Sequence, residues 1–220
     1  LDDRSLIVAG QLDQERRRAL EQLQAQENDP AHSTMLLFLR TLFRRHPYGQ
    51  NPLGNAASLA TLSQPALVGF QRTILSPSAM TLAVVGDVSL ADAQKLAERV
   101  FASARAPAAP GRDASSYVKY DAHEAENGPQ EVYAFRDSNV AHVVLGFPGA
   151  ALDSPDRFAL DVLVELLSAT HGRLRTRLGQ LGTAVSLEVF SFAGVDPGYV
   201  GVYLLCPPDT LEAAVRITRE

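Results

Sequence analysis

Five histidines, one cysteine and a run of three arginines are the side chains in this 220-residue sequence with the clearest chemical potential. His32, His46, His123, His142 and His171 are spread so that no two stand three to five positions apart. Zinc chemistry commonly uses two imidazoles on one helix face, so this spacing predicts loop or solvated histidines and no internal metal site. Val84-Val85-Gly86-Asp87 before a helix has the layout of a nucleotide-binding turn. Neither G-x-G-x-x-G nor G-x-x-x-x-G-K-[ST] occurs, and Asp87 would repel a phosphate at that helix N-terminus. The segment is therefore read as a structural turn. No G-x-S-x-G elbow is present, and Cys206, flanked by Leu205 and Pro207, reads as a buried structural thiol. Arg16-Arg17-Arg18 shares its helix with Glu15 and Glu21, which predicts a solvated, ion-paired face.

The elements that must position these groups are α/β in pattern. Residues 13–27 form a helical run with Leu12, Ala19, Leu20 and Leu23 as its apolar positions, and Asn28-Asp29-Pro30 stops it. A second helix from Ala31 to Phe43 places Met35, Leu36, Leu39, Leu42 and Phe43 on one stripe. A turn-rich loop follows, carrying His46-Pro47-Tyr48-Gly49 and Asn51-Pro52-Leu53-Gly54. Ser63 caps a third helix with Pro65 in its first turn. Met80 to Val85 reads as a strand, and Ser89-Leu90-Ala91-Asp92 as a capping box opening the next helix.

Beyond an Ala/Pro/Gly-rich stretch, Glu131 to Phe135, Val140 to Phe147, Val185 to Phe192 and Tyr199 to Leu205 read as strands. Asp153-Ser154-Pro155 opens a helix whose Phe158, Leu160, Val162, Leu163, Val164, Leu166 and Leu167 cover nearly every face. That pattern predicts burial on most sides. Asp209-Thr210-Leu211-Glu212 reads as a second capping box, 120 positions after the first. The rhyme raises the case for a duplicated α/β domain, with residues 1–104 in the first copy, 105–116 as linker and 117–220 in the second.

Composition excludes several classes. Lys+Arg number 20 against 25 Asp+Glu, giving net charge −5, so the basic surface that nucleic-acid binding needs is missing. No apolar run approaches the roughly 18 residues of a membrane span. A single cysteine excludes a disulfide framework and a cysteine-rich zinc site. The sequence opens on Leu1-Asp2-Asp3 with no leader pattern and stops within a helical pattern, so it reads as an excised piece.

The order of landmarks says more than any one of them. His46-Pro47-Tyr48-Gly49, Gly54 with Ser58-Leu59-Ala60-Thr61-Leu62, Phe70, Pro77 and Leu82-Ala83-Val84-Val85-Gly86-Asp87-Val88 follow one another in the first half. Val143-Val144-Leu145-Gly146-Phe147-Pro148-Gly149, Pro155-Asp156, Leu166-Leu167, Gly172-Arg173-Leu174 and Asp196-Pro197-Gly198 follow in the second. Together they resemble the insulinase/pitrilysin family of zinc peptidases across nearly all of the sequence. The resemblance implies two homologous α/β (α+β) sandwich domains with antiparallel-rich sheets, each partly represented here.

Active members of that family take zinc from an inverted H-x-x-E-H helix plus a glutamate on a later helix. Two histidines hold the metal, and the motif's glutamate serves as general base. No H-x-x-E-H occurs in this sequence; the family's spacing places it upstream of Leu1. In active relatives the ligand glutamate follows another glutamate by seven residues. Here Glu15 is followed at that distance by Gln22, a neutral amide, while Glu21 is one residue, about 100° of helix rotation, away. A one-residue slip in the alignment restores a carboxylate. The family also uses an arginine and a tyrosine in its second domain to hold substrate; Gly179 and Val185 occupy those slots here. Neither side chain donates a hydrogen bond. Arg175 and Arg177 stand nearby, and the alignment prefers neither as a replacement.

The resemblance thus implies a non-catalytic half of a peptide-degrading or processing complex, with no catalytic residue and no cofactor in this chain. Zinc enters only if an upstream motif or a homologous zinc-bearing partner in a heterodimer supplies it, and the ligand would be a peptide. One rival is a fragment of an active zinc metalloendopeptidase; the other is an assembly subunit that binds no peptide. The family's paired bacterial members imply a periplasmic location, with the cytoplasm as the alternative.

Overall fold

An amphipathic helix and an alternating strand pattern account for most of what the computed structural model describes, namely residues 9–74, 81–102, 129–181 and 186–220. The chain divides into two compact units, Leu1–Leu23 with Asn55–Val118 and Gln24–Gly54 with Lys119–Glu220. The helix–loop stretch 24–54 thus clusters with residues far beyond it in sequence.

In the first unit every described regular element is a helix. Helix α1 (Ala9–Asn28), of which the residues up to Leu23 fall in this unit, buries Leu23 and keeps most other positions in solvent. Helix α3 (Ala56–Thr61) opens with a reciprocal capping box: Asn55 accepts the Ser58 amide at 2.8 Å, and the Ser58 hydroxyl oxygen accepts the Asn55 amide at 3.0 Å. Helix α4 (Gln64–Ile74) follows Ser63, whose hydroxyl oxygen accepts the Ala66 amide at 3.4 Å. Helix α5 (Leu90–Phe101) is capped by Ser89, which accepts from the Asp92 amide and donates to the Asp92 carboxylate. The strand expected at Met80–Val85 is absent from its described part, 81–85, where Leu82, Val84 and Val85 face solvent. An apolar run becomes a strand only when a neighbour takes its backbone hydrogen bonds, and none among the described residues does so.

In the second unit, three strands form an antiparallel sheet in the order β1–β3–β2: β1 (Ala141–Pro148), β2 (Ser186–Phe192) and β3 (Tyr199–Cys206). The register pairs Val144 with Tyr203 and Val189 with Val202. Because side chains alternate, Leu187, Val189, Val202, Leu204 and Cys206 share one face with Val143 and Leu145. That face forms the core with Leu174 and Leu178 of α7 (Arg173–Gly179), Ala214 of α8 (Leu211–Arg219), and Val164 and Leu167 of α6 (Asp156–Ser168). The opposite face carries Gly146, Phe190, Tyr199 and Tyr203. Helix α2 (Pro30–Leu42), capped by Asp29 with Pro30 at its first position, packs there. Phe38 lies edge-on to Tyr199 at 5.5 Å, and its ring sits where a Cβ on Gly146 would stand, at 2.1 Å. The mixed α/β class with an antiparallel sheet stands.

Three expectations in this half are corrected. Residues 131–135 form no strand, and Tyr133 and Phe135 are exposed; Glu131 instead bonds the Tyr133 hydroxyl and Arg219. Helix α6 is not buried on most sides: Phe158, Val162 and Leu166, spaced four apart, all face solvent. The capping box at Asp209–Glu212 does not form. Pro207-Pro208 favours a 3-10 turn over Pro208–Thr210, and the Thr210 hydroxyl donates to the Pro207 carbonyl instead of capping α8. The expected linker, 105–116, lies outside the described residues.

Candidate functional site

Along α1, the residues of the degenerate metal-ligand slot and its spacing reference stand in solvent. Glu15, Glu21 and Gln22 are exposed, and the Glu15 carboxylate accepts from Arg18 at 2.7 Å. Arg16 does more than decorate a charged face. It pairs with Asp13, and its guanidinium also donates to the Leu59 carbonyl at 3.0 Å and the Leu62 carbonyl at 2.6 Å, tying α1 to the end of α3. No three His, Cys, Asp or Glu among the described residues converge closely enough to hold a metal. A zinc ion needs three or four converging donors, and one exposed stretch of helix does not supply them. The described residues therefore do not fit a zinc site. Gly179 ends α7 in the open, with no atom within 4 Å of the place a Cβ would take, so packing does not demand a glycine there. Val185 lies outside the described residues.

The histidines are more instructive, because their sequence reading needs correcting. His46 is 4% exposed and Asp196 is 1% exposed; His46 Nε2 stands 3.0 Å from Asp196 Oδ2. A lone buried carboxylate is costly, and the imidazole relieves that cost. The sequence places both groups by rigid turns. His46-Pro47-Tyr48-Gly49 forms a 3-10 turn in which His46 Nδ1 accepts the Tyr48 amide at 3.0 Å. Since Nδ1 accepts, the ring directs an N–H from Nε2 towards the carboxylate. On the other side, Asp196-Pro197-Gly198 is braced by the 149–152 loop: the Gly149 amide donates to the Gly198 carbonyl at 2.8 Å, and the Gly198 amide donates to Ala150 at 3.1 Å. A Cβ on Gly198 would stand 1.8 Å from the Phe192 carbonyl oxygen, so only glycine closes this turn.

Aromatic rings seal the pair. Tyr48 stacks obliquely on His46 at 4.1 Å, lies edge-on to Phe43 and Phe192, and its hydroxyl accepts the Asp196 amide at 3.3 Å. Shut away from solvent, this histidine–carboxylate pair fastens the 46–49 turn to the 194–198 turn and offers no surface to a substrate. Elsewhere, His142 Nδ1 lies 2.5 Å from the Tyr203 hydroxyl, while His32 is half-buried with Nε2 unpartnered. His171 is exposed as expected, and His123 lies outside the described residues. Cys206 is fully buried, as its strand-end position implied, and burial pushes its thiol pKa up, with Thr210 acting in the opposite sense.

Residues 61–220 match the family described as the peptidase M16 inactive domain. The chain belongs to that family. It is a non-catalytic domain of a zinc-protease lineage, which agrees with the resemblance read from the landmark order. A protein named as an uncharacterized zinc protease of Mycobacterium tuberculosis is 27% identical over 222 residues, covering 97% of this chain and 48% of the relative. The chain thus spans about half the length of that curated relative. Two solved structures share the fold. The M16 inactive domain from Pseudomonas fluorescens has a TM-score of 0.74 at 21% identity, covering 97% of this chain and 52% of that one. A protease from Helicobacter pylori has a TM-score of 0.77 at 19% identity, covering 96% and 52%. No helix among the described residues is long and apolar enough to cross a membrane.

Sequence reasoning singled out His46-Pro47-Tyr48-Gly49 and Asp196-Pro197-Gly198 as landmarks but missed that they bond each other. The available signal was that each is a rigid, proline-containing turn with one titratable side chain; nothing in the spacing says which two turns meet.

Proposed function

We propose that this chain is the non-catalytic half of a peptide-degrading or peptide-processing assembly. It closes a chamber around a peptide beside a homologous zinc-bearing subunit, and the assembly works in the periplasm. What supports this reading is Gln22: in the slot that the resemblance assigns to the ligand glutamate it presents an exposed carboxamide, a weaker donor to a divalent cation than a carboxylate. Membership of the inactive-domain family supports it. Zinc in such an assembly comes from an upstream motif or from the partner, and no step of hydrolysis is assigned to residues of this chain.

A second reading is favoured by the relative's length and name. About twice as long, and named as a zinc protease, it supports a longer active enzyme in which this chain is the accessory part. The test is metal analysis with peptide-hydrolysis assays on the full-length polypeptide, alone and with a candidate partner. The non-catalytic reading expects sub-stoichiometric zinc and no turnover alone, with turnover appearing on pairing. One zinc per polypeptide and hydrolysis without a partner would establish the second reading instead.

A further inference from the structure

His46 uses its two ring nitrogens in opposite senses. Nε2 directs its hydrogen to Asp196 Oδ2 at 3.0 Å, and Nδ1 accepts the Tyr48 amide at 3.0 Å, capping the 46–49 turn. Pro47 has no N–H, so the Tyr48 amide is the first donor inside the turn and the imidazole is its side-chain acceptor. Only the neutral ring serves both contacts. A second proton has to enter at Nδ1, where it faces the Tyr48 N–H, donor against donor. Asp196 favours that proton, because a carboxylate at the other nitrogen stabilises an imidazolium. The conflict therefore falls on the cap, and the contact with Asp196 survives it.

What the cap holds in place is Tyr48. Its ring lies 4.1 Å from His46 and edge-on to Phe43 and Phe192 at 5.4 and 5.2 Å. Its hydroxyl accepts the Asp196 amide and stands 1.9 Å from where a Cβ on Gly194 would be, so Gly194 makes the socket. The titratable groups facing His46 are Asp196 from the 194–198 turn and Tyr48 from its own turn. Phe43, next to the end of α2, faces it with an uncharged ring at 5.5 Å, and Tyr199 of β3 lies behind Phe43. Arg44 and Arg45 precede His46 in the chain and are exposed, Arg44 bonding Gln130.

We propose that His46 is a proton-operated latch. Neutral, it caps the 46–49 turn and seats Tyr48 against Gly194; protonated, it stays on Asp196, drops the Tyr48 amide and lets that ring leave its socket. The seated turn binds one proton fewer than the released turn, so it is held as pH rises and given up as pH falls.

Hydrogen exchange followed by NMR on the full chain tests this, with rates corrected for the intrinsic effect of pH. An ordinary imidazole passes from about one-tenth to about nine-tenths protonated between about pH 7.5 and 5.5. Over that range exchange at the Tyr48 amide rises about tenfold while the amides of β3 stay protected, and the His46 Nδ1 signal changes from bare acceptor to N–H. Asparagine keeps a cap acceptor that takes no proton, so His46→Asn leaves Tyr48 equally protected at both ends of the range. Asp196→Asn removes the charge that favours the imidazolium and moves the release to lower pH. Exchange at Tyr48 that ignores pH, or a pH response that survives His46→Asn, overturns the latch. Opening of β3 in step with Tyr48 overturns it too, since the event is then global unfolding. Release at an unchanged pH in Asp196→Asn overturns the part given to the carboxylate. If either variant fails to fold, the wild-type nitrogen signal decides alone: Nδ1 already protonated at the upper pH, or gaining its proton with Tyr48 still protected, overturns the proposal.

Discussion

At the scale of single residues, the contact between His46 and Asp196 sets the strongest expectation. Both are shut from solvent, so removing either takes a hydrogen-bond contact from the other in a dry site. Asp196→Ala and His46→Ala should each cost about 3 kcal/mol in urea unfolding. The double variant should cost less than the sum of the singles by at least about 1 kcal/mol. Strict additivity would show that the two side chains act independently. The residue scale also shows where sequence reasoning stops. Gln22 could be read because its argument is chemical and local: an amide replaces an acid. Asp196 could not, because its importance lies in what it meets, and a turn's composition carries no address.

At the scale of elements, legibility follows coverage. Strands β1, β2 and β3 were visible because alternation marks a half-buried strand wherever both its neighbours and its register are supplied, as Val189 opposite Val202 shows. Residues 81–85 have the same apolar character and form no strand, since composition states what a segment would bury and not whether a neighbour exists. Helix α6 was misread for a related reason. Apolar residues all around it predict burial, yet Phe158, Val162 and Leu166 remain in solvent and only Val164 and Leu167 reach the core. The two faces should respond differently to mutation. Val162→Lys should change stability by less than about 0.5 kcal/mol, whereas Leu178→Ala in the core should cost about 3 kcal/mol. Similar losses at both positions, measured by thermal or urea unfolding, would mean that α6 is covered after all.

At the scale of the whole molecule, the division into units cuts across chain order. Residues 24–54 precede the first unit's α3 yet belong with 119–220, because α2 and the 46–49 turn cover the sheet face that carries Gly146, Tyr199 and Phe190. Residues 119–220 made alone should therefore expose that face, bind a hydrophobic dye and lose near-ultraviolet circular dichroism from their aromatic rings. Adding a 24–54 peptide in trans should recover both signals. A well-packed 119–220 fragment would show that the sheet and α6–α8 suffice by themselves.

The same long reach has a consequence during synthesis. His46 and Asp196 are 150 positions apart. A ribosome adding roughly 5–20 residues per second takes about 8–30 s to travel that distance. For most of that interval α2 has been made while β1, the strand it mainly rests on, has not. An amphipathic segment waiting so long is a natural client for a holdase, so yield in the cell should track chaperone supply, and slow codons ahead of β3 should lower it.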